Sequence, residues 1–594
     1  MAKTMANDET DNPDDEKKND SDAPKAEGDQ DKVDDAVSDI VKQESDEVLE
    51  AEDSHFKPTV SDFHPWYEKK RFWIPAIIIL IVATILAIPK SRYATLSLVW
   101  KQNYQVQVLD SQTGLPVSDA MVSLDGRTAE TNNQGKASLH VKIGSADLTI
   151  SKKYYSSYIE SQLVPFRVHG AIVFKLVASG RQVPITVTNK INGTPISDAL
   201  VAAAGTDAKT NAKGMVTIVL PADSSTVKAT INANGYNALN TTITVSAAAL
   251  PANSLQLVPV GSAYFLSNAS GTVDIDSANL DGSNVQAVVK GTGTEDPNNT
   301  QILASYDWKY VALIAQRGST NQALYILDTN DNQLSKVDST ASGYTFDGWT
   351  SSDYLVYTTF NSNIAAGQPG TEALKSYDAP SGKLTTIDQA NGAADNTITS
   401  NEVYDSVNVL SDGSIVYLKT WSGNTELSGL SDTVNSVQPN GGDKTTLLSV
   451  NANGYFSYDQ AVAAGPSSVY YYLLQTNGGA VVYYEYQDGK VQQITGSAAT
   501  AAQQAQSNFT TYYVSPSGQQ TLWNSLVNGH SAVMVGDGNA GSPKQVALLD
   551  NTYNVYGWYG NNYILISKNN NELYIMPTSG VSNSNQLVKI SNYL

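Results

Sequence analysis

With five histidines and no cysteine in 594 residues, the chain has few routes to nucleophilic or metal chemistry. The missing thiols remove any disulfide framework, thiolate metal site or cysteine nucleophile. Beyond residue 90 the histidines are His140, His169 and His530. A Ser-His-Asp site needs an imidazole beside a nucleophile. His140 falls instead on an alternating apolar stretch, and His530 follows the turn signal Asn528-Gly529. Neither a Gly-x-Ser-x-Gly elbow nor a His-Glu-x-x-His helix occurs in the sequence. No catalytic residue and no cofactor are therefore assigned, and the chain is expected not to be an enzyme.

Carboxylates offer other chemistry. Asp328-Thr-Asn-Asp-Asn332 begins like an oxygen-ligand loop, which makes Asp328, Asn330 and Asn332 weak calcium candidates. Gln333 stands where such a loop requires glycine, and no glutamate closes it, so turn chemistry explains the run more simply. The same holds for Asp274, Asp276 and Asp281. An acid pair of the glycosidase kind depends on carboxylate separation, which a sequence does not contain. Tyr470-Tyr-Tyr472, Tyr483-Tyr484-Glu-Tyr486 and the stretch from Tyr553 to Tyr559 offer faces for a sugar or a protein, or packing between strands.

The elements that must position these residues fall into unlike regions. Residues 1–54 hold 20 Asp and Glu against 6 Lys, so −14 of the chain's net −21 lies there. Such a segment lacks the apolar content to offset ordering entropy and is expected to be a disordered tail. Val33, Val37, Ile40, Val41 and Leu49 leave room for a short helix that recruits a cytoplasmic partner. Phosphate binding needs clustered Lys and Arg, and their absence argues against nucleic acid.

From Phe72 to Ile88 run seventeen residues without a charge, which at 1.5 Å rise extend roughly 25 Å. Pro75 and Pro89 stand near its ends, and Trp66, Tyr67, Trp73, Tyr93 and Trp100 flank it as interfacial aromatics do. The run is read as one uncleaved transmembrane helix (72–89). Lys69-Lys70-Arg71 outnumber Lys90 and Arg92, which places residues 1–71 in the cytoplasm and the body outside.

Beyond it the chain repeats itself. Gly114-Leu-Pro-Val-Ser-Asp-Ala-Met-Val122 matches Gly193-Thr-Pro-Ile-Ser-Asp-Ala-Leu-Val201, and Thr131-Asn-Asn-Gln-Gly135 matches Thr210-Asn-Ala-Lys-Gly214, both 79 positions apart. One offset held over two blocks marks a duplicated module, 93–177 and 178–258, with the alternation of small antiparallel sandwiches. Within each copy Pro116 and Pro195 are expected to start a turn, Asp119 and Asp198 to cap loop amides, and Gly135 and Gly214 to take positive φ. The pattern resembles the carboxypeptidase regulatory-like and related immunoglobulin-like modules of bacterial surface proteins, which implies a transthyretin-like spacer or binding domain.

From 259 to 594 the anchor points Tyr264, Trp308, Trp349, Asp412, Pro466, Pro516 and Trp558 recur at about 40 to 60 residues, the length of a propeller blade. Gly348-Trp-Thr-Ser-Ser-Asp-Tyr-Leu-Val-Tyr357 parallels Gly557-Trp-Tyr-Gly-Asn-Asn-Tyr-Ile-Leu-Ile566, and Leu324-Tyr-Ile-Leu-Asp328 parallels Leu573-Tyr-Ile-Met-Pro577. Tandem sandwiches would instead recur near 80 residues. Leu410-Ser-Asp-Gly-Ser414, Val514-Ser-Pro-Ser-Gly518 and Tyr377-Asp-Ala-Pro-Ser-Gly-Lys-Leu384 resemble turns of TolB-like propellers and of the propellers in prolyl-oligopeptidase-type peptidases.

The expected fold is mainly β: a single transmembrane helix, two tandem immunoglobulin-like β-sandwiches and a C-terminal β-propeller of about seven blades. The expected function is a membrane-anchored, extracytoplasmic scaffold of the cell envelope whose propeller meets a protein or glycan. An envelope-acting propeller enzyme and a transmembrane signal transducer are the alternatives.

Overall fold

The computed structural model describes residues 70–87, 93, 96–97 and 100–594, apart from 168–169, 396, 424–426, 428, 453–455 and 475–479. The acidic tail, Trp66, Tyr67 and His169 lie outside the described residues. The chain divides into two units, Met1–Ser91 and Arg92–Leu594.

In the first unit one helix, α1, runs Lys70–Ala87. It starts two residues before the expected span, so Pro75 lies inside it and costs one backbone hydrogen bond. Its apolar part, 72–87, extends about 24 Å against roughly 30 Å of bilayer hydrocarbon. Among the described residues no helix is long and apolar enough to cross a membrane. Every residue from Ile77 to Val82 is nonetheless exposed.

The second unit is almost entirely β. In its first module Lys136–Lys142, Lys101–Asp110 and Ile172–Leu176 form one sheet, the last pair parallel. Arg127–Glu130, Met121–Leu124, Gly144–Ser151 and Tyr158–Val164 form the other. Period-two alternation sends Tyr104, Val106 and Val108 from one sheet and Val122, Leu148 and Ile150 from the other into a shared core. The second module repeats the arrangement, including the parallel pairing of Ser254–Leu257 with Arg181–Asn189.

The repeated motif is structural, in a way that corrects one expectation. Thr131 Oγ1 donates to the Val117 carbonyl at 2.7 Å and accepts from the Ala120 amide at 2.8 Å. Thr210 does the same with Ile196 and Ala199, at 2.6 and 2.9 Å. The capping thus falls to the threonines. Asp119 and Asp198 are themselves the left-handed residues, at φ +51° and +57°. Pro116 and Pro195 bridge back to Leu109 and Thr188.

Among the described residues seven antiparallel sheets follow in chain order, one with three strands, one with five and five with four. They open on Ser262–Ser267, Gln301–Ala304, Gly343–Trp349, Gly392–Ala394, Phe456–Gly465, Tyr513–Val514 and Tyr553–Tyr559. The first and last sheets close on each other by side-chain packing: Phe265 and Leu266 share a core with Leu565, Ile575 and Ile590. The Leu594 amide donates to the Leu266 carbonyl at 3.1 Å. Among the described residues no strand is exchanged between them. A second helix, α2 (Gly496–Asn508), which the sequence reading did not anticipate, follows the fifth sheet. It packs Ala498, Ala502 and Ala505 against Val462 and Tyr472, and the Tyr472 hydroxyl donates to the Ala502 carbonyl at 2.7 Å.

Candidate functional site

The opening strands of several sheets surround a cavity of about 570 Å³. Its wall is shaped by one local device used twice. In the third sheet the register slips between Phe346 and Gly348, and in the seventh between Val555 and Gly557, leaving Asp347 and Tyr556 as bulged residues. The glycines take φ +147° and +155°, a region that disfavours a side chain. Each is followed by a tryptophan that ties its sheet to the preceding one. Trp349 Nε1 donates to the Leu303 carbonyl at 3.0 Å, and Trp558 Nε1 to the Tyr513 carbonyl at 2.8 Å. Trp308, at φ +63° in the turn after Gln301–Ala304, donates its indole N–H to the Trp558 carbonyl at 3.0 Å and packs 5.5 Å from the Tyr559 ring.

Tyr306, Asp347, Tyr512 and Tyr556 line the cavity, and each keeps partial solvent access deep within the ring of sheets. Among the described residues Asp347 has one hydrogen-bond partner, the Thr358 hydroxyl, which donates to Oδ2 at 2.7 Å. Burial, only partly offset by that bond, pushes its carboxyl up to about 7. Burial also raises Tyr306 and Tyr512, and it takes Tyr556 up to about 12 with help from the neighbouring Tyr593. An adjoining hollow of about 390 Å³ shares Tyr513 and Asn554 with the cavity. Phe509 and Leu526 line it, 62% and 76% exposed.

A second set of acids joins neighbouring sheets. Asp338, on the outer strand of the second sheet, accepts from the Tyr357 hydroxyl at 2.9 Å and from Lys375 Nζ at 2.8 Å in the third. Asp388, on the outer strand of the third, accepts from Tyr417 at 3.0 Å and pairs with Lys419 at 3.3 Å in the fourth. For both acids burial works upward, but the lysine contacts and accompanying hydrogen bonds outweigh it and hold the carboxyl below its usual range. The same lysine, Lys419, also pairs with Glu402. Around it Glu372 and Asp405 are raised mainly by burial, and Asp432 is raised to about 6 by burial plus the charges of Asp405 and Glu402.

The residues singled out from sequence do not converge. Asp328 Oδ1 accepts from the Asn330 amide at 2.9 Å and its side chain at 3.0 Å, and Asn332 sits at φ +58°. These are turn contacts. Asp274 accepts from the Gly291 amide at 2.7 Å, whereas Asp281 pairs with Lys190 at 2.7 Å. Among the described residues no group of three or more His, Asp or Glu is placed to hold a metal. His140 is exposed with Nδ1 2.9 Å from Asn103 Oδ1, and His530 is exposed at a hairpin. Of the tyrosine runs, Tyr471 and Tyr553 are buried and Tyr556 reaches the cavity. Asp347 was missed; the only available signal was its place beside the repeated Gly-Trp.

The fold and cavity define a mainly β protein with a propeller. No protein family and no curated relative matches the chain. Similar solved structures include the β-propeller domain of the Trilobed protease from Pyrococcus furiosus, 11% identical, covering 62% of this chain and 93% of that one at TM-score 0.33. Prolyl endopeptidases resemble it at 15% identity over 52% of this chain and 45% of theirs, TM-score 0.30. TolB from Acinetobacter baumannii does so at 13% over 53% and 74%, TM-score 0.24. Peptidases predominate among these neighbours, with a Porphyromonas gingivalis dipeptidyl peptidase 4 and a Pyrococcus horikoshii acylaminoacyl peptidase as further cases. This finding overturns the expectation of a chain without enzymatic activity, which rested on missing motifs alone.

Proposed function

We propose that the protein is held at a membrane by α1, with its N-terminus cytoplasmic, and presents a ligand-binding propeller in the cell envelope on two immunoglobulin-like, carboxypeptidase regulatory-like sandwiches. The observation that carries the binding role is the cavity of about 570 Å³, within the usual range for small-ligand sites and lined by several tyrosines and tryptophans, apolar side chains and Asp347. The membrane role is supported by a helix whose apolar side chains from Ile77 to Val82 are all exposed. Cells expressing the full chain test both. The protein should resist alkaline extraction and lose residues 100–594 to external protease. Immobilised protein should retain an envelope protein or glycan, and Tyr556→Ala should release it. Extraction by alkali alone, or no retention of any envelope component, would count decisively against the respective part.

A second reading has its own support: a carboxyl near 7 in a cavity suits proton transfer, so Asp347 is a candidate general acid or base of a propeller enzyme. Turnover of envelope glycans or peptides that Asp347→Asn lowers in kcat without changing KM would favour it; no turnover of either class removes it.

A further inference from the structure

Resting on the reading of the cavity as a ligand site, we infer that it recognises a primary alkylammonium group, seated against Asp347 and the surrounding aromatic faces. The warrant begins with a contrast among buried acids. Asp338 has Lys375 at 2.8 Å, Glu295 has Arg317 at 3.0 Å, Asp281 has Lys190 at 2.7 Å and Asp388 has Lys419 at 3.3 Å. Asp347 has no cation within ion-pair distance among the described residues, and its one hydrogen bond occupies Oδ2. Asp405 is also a bulge residue held by a threonine, Thr420, but it stands outside the cavity wall. Of the acids that lack a lysine or arginine, Asp347 is the one that lines this cavity.

The wall also rejects alternatives. Among the described residues no Lys, Arg or His lines it, so phosphate and carboxylate ligands find no countercharge there. Its other titratable groups are Tyr306, Tyr512, Tyr513, Tyr556 and Tyr593. Tyrosine and tryptophan rings attract a cation through their negative faces, most strongly where water is excluded. Thr358 donates to Oδ2 alone, which leaves Oδ1 to accept from an ammonium. Its arrival supplies the charge that lets Asp347 ionise, so binding should release a proton below pH 7.

The test titrates the full-length protein with n-butylammonium and with the neutral n-butanol, read by calorimetry and tryptophan fluorescence. The ammonium should bind at least tenfold more tightly than the alcohol, and its affinity should rise severalfold from pH 5.5 to 8. Asp347→Asn should abolish the preference for the ammonium over the alcohol. Equal binding of both probes, or a preference that survives the substitution, overturns charge recognition but leaves the cavity a ligand site. Binding of neither probe overturns the inference, and if Tyr556→Ala also leaves envelope retention intact, the cavity reading falls with it. Should Asp347→Asn fail to fold, the pH dependence of the native protein decides: a flat or falling affinity sinks the idea.

Discussion

The side-chain amide of Asn189 donates to the Tyr563 hydroxyl at 3.0 Å, joining the second sandwich to the seventh sheet of the propeller. Asp110, 79 positions earlier, takes the same place in the first sandwich and accepts from Gln182 of the second at 2.6 Å. Both also hold their own loops: Asn189 Oδ1 accepts from the Ile191 amide at 2.8 Å, and Asp110 Oδ1 from the Gln112 amide at 2.8 Å. The duplicated module thus reaches its next neighbour through one equivalent position.

Tyr563→Phe removes the junction bond alone and keeps the ring in its core. We expect protease cleavage of the 258–262 connection to quicken severalfold, with the melting temperature changed by no more than about 1 °C. Asn189→Ala also strips the loop of its acceptor and should cost about 1–2 kcal/mol in urea unfolding.

Asp338 is fully buried against Lys375 and Tyr357. Asp338→Ala leaves Lys375 buried without its countercharge, and chemical denaturation should show a loss of about 3–5 kcal/mol. Because the folded carboxyl is held below its usual range, its contribution is present above about pH 4 and is lost as pH falls through the folded value. The difference between native protein and variant should therefore shrink in acid; a difference unchanged from pH 7 to 3 would refute the assignment.

Asp347 has the opposite sign. Its folded value of about 7 lies above the ordinary carboxylate range, so the folded state holds a proton that the unfolded state has lost between about pH 4 and 7. Its presence makes stability fall as pH rises through that window. Asp347→Asn should remove this slope, leaving the variant the more stable by on the order of 2–4 kcal/mol at pH 8 and nearly equal at pH 4, as urea midpoints would report.

Gly135 and Gly114 have nearly the same φ, +69° and +70°, but different surroundings. A Cβ at Gly135 would meet the Val108 carbonyl oxygen at 2.3 Å, and one at Gly114 would meet nothing within 4 Å. Gly114→Ala should cost about 1 kcal/mol, the backbone penalty alone. Gly135→Ala should lower stability by at least about 1 kcal/mol more; equal melting temperatures for the two variants would refute the steric account.

Local pattern made a good part of this legible. The 79-residue offset located the repeated Thr, Asp and Gly because each acts within its own loop, where neighbours in sequence are neighbours in space. Gly348-Trp and Gly557-Trp matched because both follow the same bulge in the opening strand of their sheets. Helix α2 escaped because its Ala-rich sequence has only a weak amphipathic pattern and is held by Val462 and Tyr472.

By itself the sequence determined where apolar periodicity changes: an apolar run near residue 72, two copies of one module, and a series of short-strand units. Those signals arise from local spacing and survive without any fold. Only the tertiary structure decided that Asp347, rather than the acid runs at Asp274 or Asp328, lines a cavity together with tyrosines and tryptophans. Burial and the absence of a nearby cation are properties of residues far apart in sequence, such as Trp308 and Trp558, and no spacing rule encodes them.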